Sequence, residues 1–523
     1  MSQIAVNRLT YCYEGSFDPV FEQVTLTLDT SWKLGLIGRN GRGKTTFLKL
    51  LCGELDAHGA ISACAEFEYF PYLVSDPSKT GQELFEQIAP GAQDWEIFRE
   101  LSLLDVSAEA LFRPFDTLSS GEQTKLLLAC MFLRENAFLL IDEPTNHLDA
   151  PARDAVERYL KRKNGFILVS HDRSLLDSCV DHILSINRLS IDLEQGNYTS
   201  WEQNRERREQ YERGENERLE REIRRLSETA ARAGAWAQQT ESAKKGSRIS
   251  GLRPDRGYIG HKSAKMMKRA KAVQSRAQQA AEQRRLLLRE VEETALLTLP
   301  ALRPVHSLVA ECRDLAVCYD QTPVFEGMSF QVLRGERVAL TGANGCGKSS
   351  VLKLLAGMQV PHSGLIRLAG GITVSYLPQD TSCLKGELRA FLQKHGFEEP
   401  LFKAILRKLS FERDQFEKPM EEFRAGQKKK VLLTASLCTP AHLYIWDEPL
   451  NYIDLPSREQ IEQLLKTGTQ TMVFVEHDRA LRAAVATKEI LFGCCFCETV
   501  NTSQPGENMQ KAPGRRVPGA FAK

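Results

Sequence analysis

Short apolar runs recur along this chain, and each ends at a turn or a reactive polar side chain. Such runs, alternating with stretches of helical spacing, are typical of buried parallel strands in an α/β sheet, which are apolar on both faces. Ligands bind such sheets at the carboxyl ends of the strands. The pattern therefore predicts an α/β fold with its chemistry at those ends. The runs in question are Lys33–Gly38, Phe138–Asp142, Phe166–Ser170, Arg337–Gly342, Leu443–Asp447 and Met472–Glu476.

The pattern changes between residues 197 and 305. Trp201–Ala230 is a dense mixture of Glu and Arg with a thin apolar stripe at helical spacing, and Met266–Thr294 repeats that style. Sparse stripes in mixed charge predict two long, mostly solvated helices packed on each other. Gly and Pro accumulate between them, roughly over Gly246–Gly260, and predict a turn. We expect a helical hairpin with a loop at its tip.

Three features occur twice in the same order: a Gly-rich loop, an acidic pair after a strand, and a later histidine. One G-x-x-x-x-G-K-[ST] match can arise by chance, but an ordered duplicate almost cannot. The sequence predicts two P-loop ATPase domains, 1–196 and 306–498, joined by the helical segment 197–305. The Pro- and Gly-rich tail 499–523 is predicted to be disordered. The repeated features are Gly38–Thr45 and Gly342–Ser349 (offset 304), Asp142-Glu143 and Asp447-Glu448 (offset 305), and His171 and His477 (offset 306).

Charge is unevenly distributed along the chain. The 523 residues carry a net charge of +1, so any nucleic-acid contact must be local. From Ala231 to Arg276, however, the chain has 12 Lys and Arg residues and only 2 acidic residues, which is a net charge of +10 in 46 residues. A solvated linker normally carries both signs, as Trp201–Ala230 does. The asymmetry favours a polyanionic partner over a plain charged linker.

Composition also indicates the cellular compartment in which the protein is expected. No apolar run approaches the roughly 18 residues that cross a bilayer, and the N-terminus lacks a signal-peptide core. The 13 cysteines are scattered, without metal-ligand spacing. Free thiols in a reducing compartment are expected rather than disulfides or a zinc site. We expect a cytoplasmic protein that has no membrane pore of its own.

Each repeat supplies the parts of an ATP site. Backbone N–H groups of the Gly-rich loop surround the β-phosphate at a helix N-terminus, and the lysine neutralises the β- and γ-phosphates. The next hydroxyl and the strand-end aspartate hold Mg²⁺, the following glutamate polarises the attacking water, and the histidine orients it. The residues assigned to ATP are Gly38, Asn40, Gly41, Gly43, Lys44, Thr45, Thr46, Gly342, Asn344, Gly345, Gly347, Lys348, Ser349 and Ser350; to Mg²⁺, Thr45, Asp142, Ser349 and Asp447; and to catalysis, Glu143, His171, Glu448 and His477.

Further motifs resemble those of ATP-binding cassette (ABC) domains. Leu118–Gln123 resembles their signature motif, and Asn146–Asp149 is similar to their D-loop. Tyr13 and Tyr319 match the aromatic residue that stacks on adenine in that family. The resemblance covers both repeats and implies two cassettes head to tail, with each ATP between the Gly-rich loop of one and the signature of the other. The signature residues that it implies at ATP are Ser119, Ser120, Gly121, Glu122, Arg424, Gly426 and Gln427.

Two departures from the family pattern fall on one composite site. Tyr72 stands where the Q-loop glutamine is usual, whereas the second repeat keeps Gln379, which the resemblance implies at both ATP and Mg²⁺. In the second signature, Arg424 stands where serine is usual. In the crossed arrangement both departures border the ATP held by Lys44, although Arg424 can still donate to a phosphate. We expect this site to hold ATP longer and hydrolyse it more slowly than the Lys348 site.

Two fused cassettes without membrane spans, joined by a long helical linker, resemble the ABC-F family of translation factors. In that family the linker enters the ribosomal exit-tRNA site and its tip approaches the peptidyl-transferase centre. The resemblance implies contacts of the basic segment 231–276 with 23S rRNA and tRNA. Gly257–Lys271 and Trp446–Asp454, including Leu450 in place of threonine, are similar to the Lsa-type antibiotic-resistance subset. The candidate tip residues are Arg253, Tyr258 and Ile259.

This subset implies protection from lincosamide, streptogramin A or pleuromutilin drugs by a monomer with intramolecular cassette pairing. A housekeeping ABC-F factor acting on stalled ribosomes would share every motif. A fused importer ATPase would dock on membrane partners but predicts a short linker without the +10 cluster. A DNA-linked cassette protein would need a far longer coiled coil or zinc knuckles, so no DNA partner is expected.

Overall fold

The computed structural model describes residues 3–13, 19–39, 41–146, 148–187, 191–242, 297–319, 322–411, 413–492 and 498–501, and seven positions between 265 and 279. The chain divides into two compact units. One combines residues 1–198 with residues 295–523 and contains both cassettes; the other is the segment 199–294 between them.

The first cassette contains two sheets and six α-helices within its described residues. Strands β5-β6-β7-β3-β8-β9 form the central sheet, and β2-β1-β4 form a smaller antiparallel sheet. The strands are β1 Gln3–Tyr11, β2 Phe21–Asp29, β3 Lys33–Gly38, β4 His58–Ser62, β5 Glu66–Phe70, β6 Ala137–Asp142, β7 Phe166–Val169, β8 His182–Ile186 and β9 Ile191–Gln195. The helices are α1 Lys44–Leu51, α2 Gly81–Ile88, α3 Asp94–Leu103, α4 Ser120–Phe132, α5 Ala150–Arg162 and α6 Arg173–Cys179.

The segment between the cassettes begins as one long helix, α7 Tyr198–Ser242, of 45 residues. Ion pairs one turn apart, such as Arg205–Glu209 and Arg221–Glu217, stabilise its exposed surface. Beyond it, the described residues Lys265, Lys268, Lys271 and Arg276 are helical and exposed. The predicted turn over 246–260, with the tip residues Arg253, Tyr258 and Ile259, lies outside the described residues.

The second cassette repeats the first. Its central sheet has the order β14-β15-β16-β12-β17-β18, beside an antiparallel sheet β11-β10-β13. The strands are β10 Leu308–Tyr319, β11 Thr322–Leu333, β12 Arg337–Thr341, β13 His362–Leu368, β14 Val374–Leu377, β15 Leu443–Asp447, β16 Met472–Val475, β17 Lys488–Leu491 and β18 Glu498–Asn501. The helices are α8 Lys348–Leu355, α9 Leu388–His395, α10 Glu399–Lys408, α11 Ala425–Cys438, α12 Leu455–Thr467 and α13 Arg479–Val485.

The predicted α/β fold with two tandem P-loop domains is confirmed. In each central sheet the first five strands of the order given are parallel. Their residues are buried on both faces, as in β7 and β15, which explains their continuous apolar runs. The three strands that lead into each Gly-rich loop, acidic pair and histidine are neighbours. Their chemistry therefore meets at one sheet edge.

The last strand of each central sheet runs antiparallel to its neighbour. In the second cassette this strand is β18, where Lys488 pairs with Asn501 and Leu491 with Glu498. Residues 499–501, placed in the disordered tail by the sequence analysis, therefore belong to the sheet. Pairing with these residues satisfies backbone groups of β17 that would otherwise form an open edge.

No α-helix among the described residues is both long enough and apolar enough to span a bilayer.

Candidate functional site

Each Gly-rich loop connects a central strand to the N-terminus of a helix. Gly43 and Gly347 are the N-caps of α1 and α8, with φ of 91° and 96°. A Cβ on Gly43 would lie 2.6 Å from Val20 Cγ1, and one on Gly347 would lie 2.6 Å from Phe325 Cδ1. Only glycine combines this backbone with this space. The loops are thus held close to the antiparallel sheets, with their helix N-termini available to an anion.

The loop lysines are buried and turned back over their own loops. Lys44 Nζ donates to Gly38 O at 2.7 Å, and Lys348 Nζ donates to Gly342 O at 2.9 Å and Ala343 O at 2.7 Å. An ammonium group in this position can exchange carbonyl contacts for phosphate oxygens. Both lysines are therefore close enough to their loops to contact the phosphates predicted there. Asn40 lies outside the described residues.

The strand-end aspartates suit Mg²⁺. Both carboxylate oxygens of Asp447 are buried and make no hydrogen bond within the described part of the chain. Burial raises the pKa of Asp447, and the nearby Ser349 hydroxyl opposes this rise. A buried carboxylate beside a hydroxyl is a ligand set that fits a hard divalent cation. In the first cassette, Asp142 Oδ2 instead accepts from Thr45 Oγ1 at 3.1 Å and from Tyr69 OH at 2.9 Å.

The two proposed catalytic glutamates adopt a strained backbone. Glu143 has a φ of 52° and Glu448 a φ of 47°, a region that residues other than glycine rarely adopt. Each backbone N–H donates to the strand alongside, at 2.9 Å to Val169 O and 3.0 Å to Val475 O. The resulting turn places each carboxylate beside the later histidine. The Glu143 Oε1–His171 Nε2 distance is 3.6 Å and the Glu448 Oε1–His477 Nε2 distance is 3.3 Å.

The electrostatic environments of these glutamates differ. Burial, helped by the charge of Asp142, raises the pKa of Glu143 to about 7. Burial also opposes ionisation of Glu448, but the hydrogen bond and charge of His477 and the nearby Lys429 outweigh it and lower its pKa. At neutral pH, Glu448 is ionised whereas Glu143 is partly protonated. Burial and the charge of Lys44 lower the pKa of His171 well below its usual value.

Both cassettes line a cavity of about 400 Å³ at the Lys348 site. The first cassette contributes Ser120, Leu148 and Arg153. The cavity thus joins the start of one signature helix to the phosphate-binding loop of the other cassette, in the crossed arrangement that the resemblance implies. The second cassette contributes Tyr319, Val324, Asn344, Gly345, Gly347, Lys348, Ser349, Ser350, Gln379, Glu448, Asn451 and His477.

Within this cavity, Glu448 is held by two amides. Gln379 Nε2 donates to Glu448 Oε2 at 2.8 Å, and Asn451 Nδ2 donates to the same oxygen. The two tyrosines that match the adenine-stacking position contact residues that follow the Gly-rich loops: Tyr319 OH lies 3.0 Å from Ser350 Oγ, and Tyr13 OH lies 2.6 Å from Thr46 Oγ1. Both tyrosine rings are exposed enough to accept a stacked base.

The Lys44 site faces the second cassette. Burial lowers the pKa of Lys44, and the carboxylates of Asp454 and Glu143 oppose this effect. Asp454 forms a buried ion pair of 3.0 Å with Lys430 on α11. Tyr72, in the Q-loop position, instead accepts a 3.4 Å hydrogen bond from Gln87 Nε2. The glutamine-to-glutamate contact of the Lys348 site therefore has no chemical equivalent at this position.

The two signature helices begin differently. Ser119 Oγ accepts from Glu122 N at 3.3 Å, and Glu122 Oε2 accepts from Ser119 N at 2.9 Å, which together form a capping box. At the start of α11, Arg424 N donates to Gln427 Oε1 at 2.8 Å. The Arg424 guanidinium has no atom that can accept a hydrogen bond, so it cannot cap the helix as Ser119 does. This end instead combines a helix N-terminus with a cationic side chain, which suits an anion.

Arg458 connects the cassettes at the Lys44 site. Its guanidinium donates to Leu450 O at 2.9 Å and Ile453 O at 2.9 Å in its own D-loop, and to His171 O of the first cassette at 2.8 Å. Arg153 is its counterpart in the first cassette and donates to Leu148 O at 3.0 Å. Sequence reasoning missed this arginine pair, although both residues repeat with the offset of 305.

We expect Arg458→Ala to destabilise the paired cassettes, because it removes the guanidinium donor from the carbonyl groups of Leu450, Ile453 and His171. The expected loss is about 1–3 kcal/mol in the free energy of unfolding, together with a smaller rise in Tm on adding ATP. Thermal unfolding with and without ATP measures both effects, and Arg153→Ala is the matched variant. An ATP-dependent rise in Tm equal to that of the wild type would show that this cross-cassette bond does not support closure.

Known proteins are similar to this chain across both cassettes. The sequence model of the ABC transporter family matches residues 21–146 and 325–451. Ribosome protection protein VmlR of Bacillus subtilis is 28% identical over 488 residues, which cover 89% of this chain and 83% of that protein. ATP-binding protein Uup of Caulobacter vibrioides is 27% identical and covers 90% of this chain and 74% of Uup.

Among solved structures, the complex of archaeal ribosomal stalk protein aP1 with ribosome recycling factor aABCE1 has a matching chain with a TM-score of 0.60. The match is 18% identical and covers 92% of this chain and 87% of that chain. At this identity the likeness concerns the fold alone. The two matched domains, together with relatives aligned across both cassettes, identify the chain as a member of the ABC-F family, an ATPase with two tandem ABC domains.

Proposed function

We propose that this ATPase protects the ribosome from antibiotics of the peptidyl-transferase centre, of lincosamide, streptogramin A or pleuromutilin type. The observation that carries the proposal is the net charge of +10 over residues 231–276, between two ATP-dependent cassettes. A relative that aligns over most of the chain is named a ribosome protection protein. The resemblance of Gly257–Lys271 and Trp446–Asp454 to Lsa-type proteins supports the same function.

The proposed partner is ribosomal RNA and tRNA rather than DNA. Lys and Arg side chains bind phosphates without regard to sequence, and the described basic positions Lys265, Lys268, Lys271 and Arg276 are exposed. A segment of this charge suits 23S rRNA and the tRNA near the exit site. The protein would act in the cytoplasm as a monomer, because its two cassettes pair within one chain.

The proposed cycle couples cassette closure to the position of the linker. ATP lies between a Gly-rich loop and the opposite signature helix, so its phosphates attract both helix N-termini and favour the closed pair. Mg²⁺ held by Thr45 and Asp142, or by Ser349, Gln379 and Asp447, would neutralise phosphate charge. Glu143 and Glu448 polarise water, and His171 and His477 orient it. Loss of the γ-phosphate contacts then opens the pair and withdraws the linker.

A housekeeping role on stalled ribosomes is the second candidate function. The specific observation that favours it is the similarity to Uup and to YheS of Escherichia coli, whose names describe them as ATP-binding proteins and do not mention resistance. Such a factor would share every ATP-site residue described above. Drug susceptibility therefore separates the two candidates, whereas ATPase assays do not.

Deleting Ser247–Tyr258 is expected to abolish drug protection while ATPase activity survives. The deletion removes the predicted linker tip, which would perturb the drug pocket, but leaves both ATP sites intact. The measurement is the minimal inhibitory concentration of a lincosamide and a pleuromutilin in a susceptible host, which should return to the level of the host alone.

A variant with a Gly/Ser segment of equal length in place of residues 247–258 controls for linker length. If this variant also loses protection, the side chains of the tip are required and not merely its length. Retained protection in the deletion variant would count against a drug-displacing tip. Absence of protection by the unaltered protein would favour the housekeeping function.

A further inference from the structure

A buried lysine outside both Gly-rich loops contacts the backbone of the Lys348 site. Lys429, on α11, is 2% exposed. Its Nζ donates to Pro378 O at 2.9 Å and to Asp447 O at 2.9 Å. Burying an ammonium group is costly unless hydrogen bonds compensate. The two carbonyl groups supply that compensation and tie three separate chain segments to one nitrogen.

The two carbonyl groups belong to residues that come just before two residues lining the cavity of the Lys348 site. Pro378 precedes Gln379, and Asp447 precedes Glu448. Gln379 Nε2 in turn donates to Glu448 Oε2 at 2.8 Å. Lys429 thus fixes the backbone on both sides of the Gln379–Glu448 contact. A shift of Lys429 would change the separation of the Gln379 and Glu448 side chains.

The first cassette is built differently at the equivalent position. Thr124 corresponds to Lys429 with the offset of 305. Its hydroxyl donates to Ser120 O at 2.9 Å within its own helix. A threonine is too short to span the distance that Lys429 covers, and Tyr72 replaces the glutamine that would be positioned. The first cassette therefore cannot form the same link between its signature helix and its Q-loop.

A second exchange accompanies the lysine. Glu476 stands where the first cassette has Ser170, and it is buried. Its carboxylate accepts from His477 N at 2.8 Å, Asp478 N at 3.3 Å and Leu450 N at 3.2 Å. Burial lowers the pKa of Lys429 to about 8, while Asp447, Glu448 and Glu476 oppose this effect. The second cassette thus holds a cation and a carboxylate at positions where the first has two hydroxyls.

The helix that carries Lys429 also reaches the other ATP site. Lys430, the next residue, pairs with Asp454, and both act electrostatically on Lys44. The start of α11, at Arg424, belongs to the signature that faces the Lys44 nucleotide in the crossed arrangement. One helix therefore has residues directed to both sites.

We propose that Lys429 is a positioning residue for hydrolysis at the Lys348 site, transmitting the position of α11, set at the Lys44 site, to Gln379 and Glu448. The inference concerns ATP turnover and does not rest on ribosome binding. It explains why α11 has Arg424 in its signature, toward the Lys44 site, and Lys429 farther along, toward the Lys348 site. Its failure would leave the proposed protective function untouched.

The test introduces Lys429→Thr, the residue of the first cassette, into two backgrounds. With Glu143→Gln, hydrolysis reports the Lys348 site; with Glu448→Gln, it reports the Lys44 site. In the first background we expect kcat to fall about 10- to 100-fold, the range expected when a catalytic group is misplaced, with little change in KM. In the second background we expect little change in single-turnover rate. Lys428→Thr, one position away and without these contacts, is the control.

Equal losses in both backgrounds would overturn the proposal, because a general loss of structure affects both sites. An unchanged kcat with Glu143→Gln would also overturn it. Thermal unfolding and binding of a fluorescent ATP analogue show whether Lys429→Thr folds and retains nucleotide. These measurements distinguish displaced catalytic groups from a site that no longer forms.

Adding Glu476→Ser to Lys429→Thr separates positioning from charge balance. The double variant reproduces the hydroxyl pair of the first cassette and removes a carboxylate left without its cation. We expect stability to recover while kcat at the Lys348 site stays low. Recovery of kcat as well would mean that Lys429 only balances Glu476, and the proposal would be rejected.

Discussion

Glu448→Gln is expected to remove most of the steady-state ATP hydrolysis of this protein, whereas Glu143→Gln leaves most of it. Glu448 is ionised at neutral pH, is held by Gln379 and lies in a cavity that includes Ser120 of the intact signature. Glu143 is buried with a pKa raised to about 7 and has no Q-loop glutamine beside it. Loss of a positioned general base costs about 10²- to 10⁴-fold in rate, so the difference between the variants is large.

Single-turnover hydrolysis with ATP limiting, followed by steady-state assays, measures both variants. Glutamine keeps the shape of each side chain but cannot accept a proton, so folding and nucleotide binding serve as internal controls. Nucleotide release after rapid dilution tests the second half of the expectation, since the Lys44 site should hold ATP longer. Equal loss of rate in the two variants would reject the asymmetry of the sites.

The sequence was sufficient to predict the fold and to bring most site residues together, because both depend on local patterns. The runs Lys33–Gly38 and Leu443–Asp447 coincide with strands β3 and β15. A buried parallel strand must be apolar along its length, and its carboxyl end must lie at the ligand edge. The duplication of the domain identified the remaining site residues, because recurrence at an offset of about 305 distinguishes a functional residue from a chance match.

The residues that were missed act through contacts distant in sequence. Lys429 resembles its half-buried neighbour Lys428 in sequence, and only the packing of α11 against β15 directs it to Asp447 O. Arg458 binds His171 O, 287 positions away. Tyr69 contacts Asp142 across neighbouring strands. The repeat offered one usable signal: Arg153 and Arg458 recur at the common offset, whereas Thr124 and Lys429 differ where the surrounding sequence is similar.

The double variant Glu143→Gln, Glu448→Gln is expected to accumulate on ribosomes in the presence of ATP. The substitutions leave the Gly-rich loops, Lys44, Lys348 and the signature helices intact, so ATP can still close the cassettes. Without hydrolysis the closed pair persists. To move a two-state equilibrium from 1:99 to 99:1 requires about 5.5 kcal/mol, and ATP trapped in two composite sites can supply a preference of this size. If only the closed pair of cassettes positions the basic segment for RNA, the variant stays bound to the ribosome because its cassettes stay closed.

Co-sedimentation of purified protein with ribosomes and with membrane vesicles, each with ATP or without nucleotide, measures this trapping. We expect the double variant to pellet with ribosomes only when ATP is present, and the wild type to pellet mainly with a non-hydrolysable analogue. High salt should weaken the association, because phosphate contacts release counterions. Lys44→Ala with Lys348→Ala, which removes the phosphate contacts, is the matched control and should stay in the supernatant. Pelleting with membranes instead would favour an importer ATPase, and pelleting with ribosomes whatever the nucleotide would separate RNA binding from cassette closure.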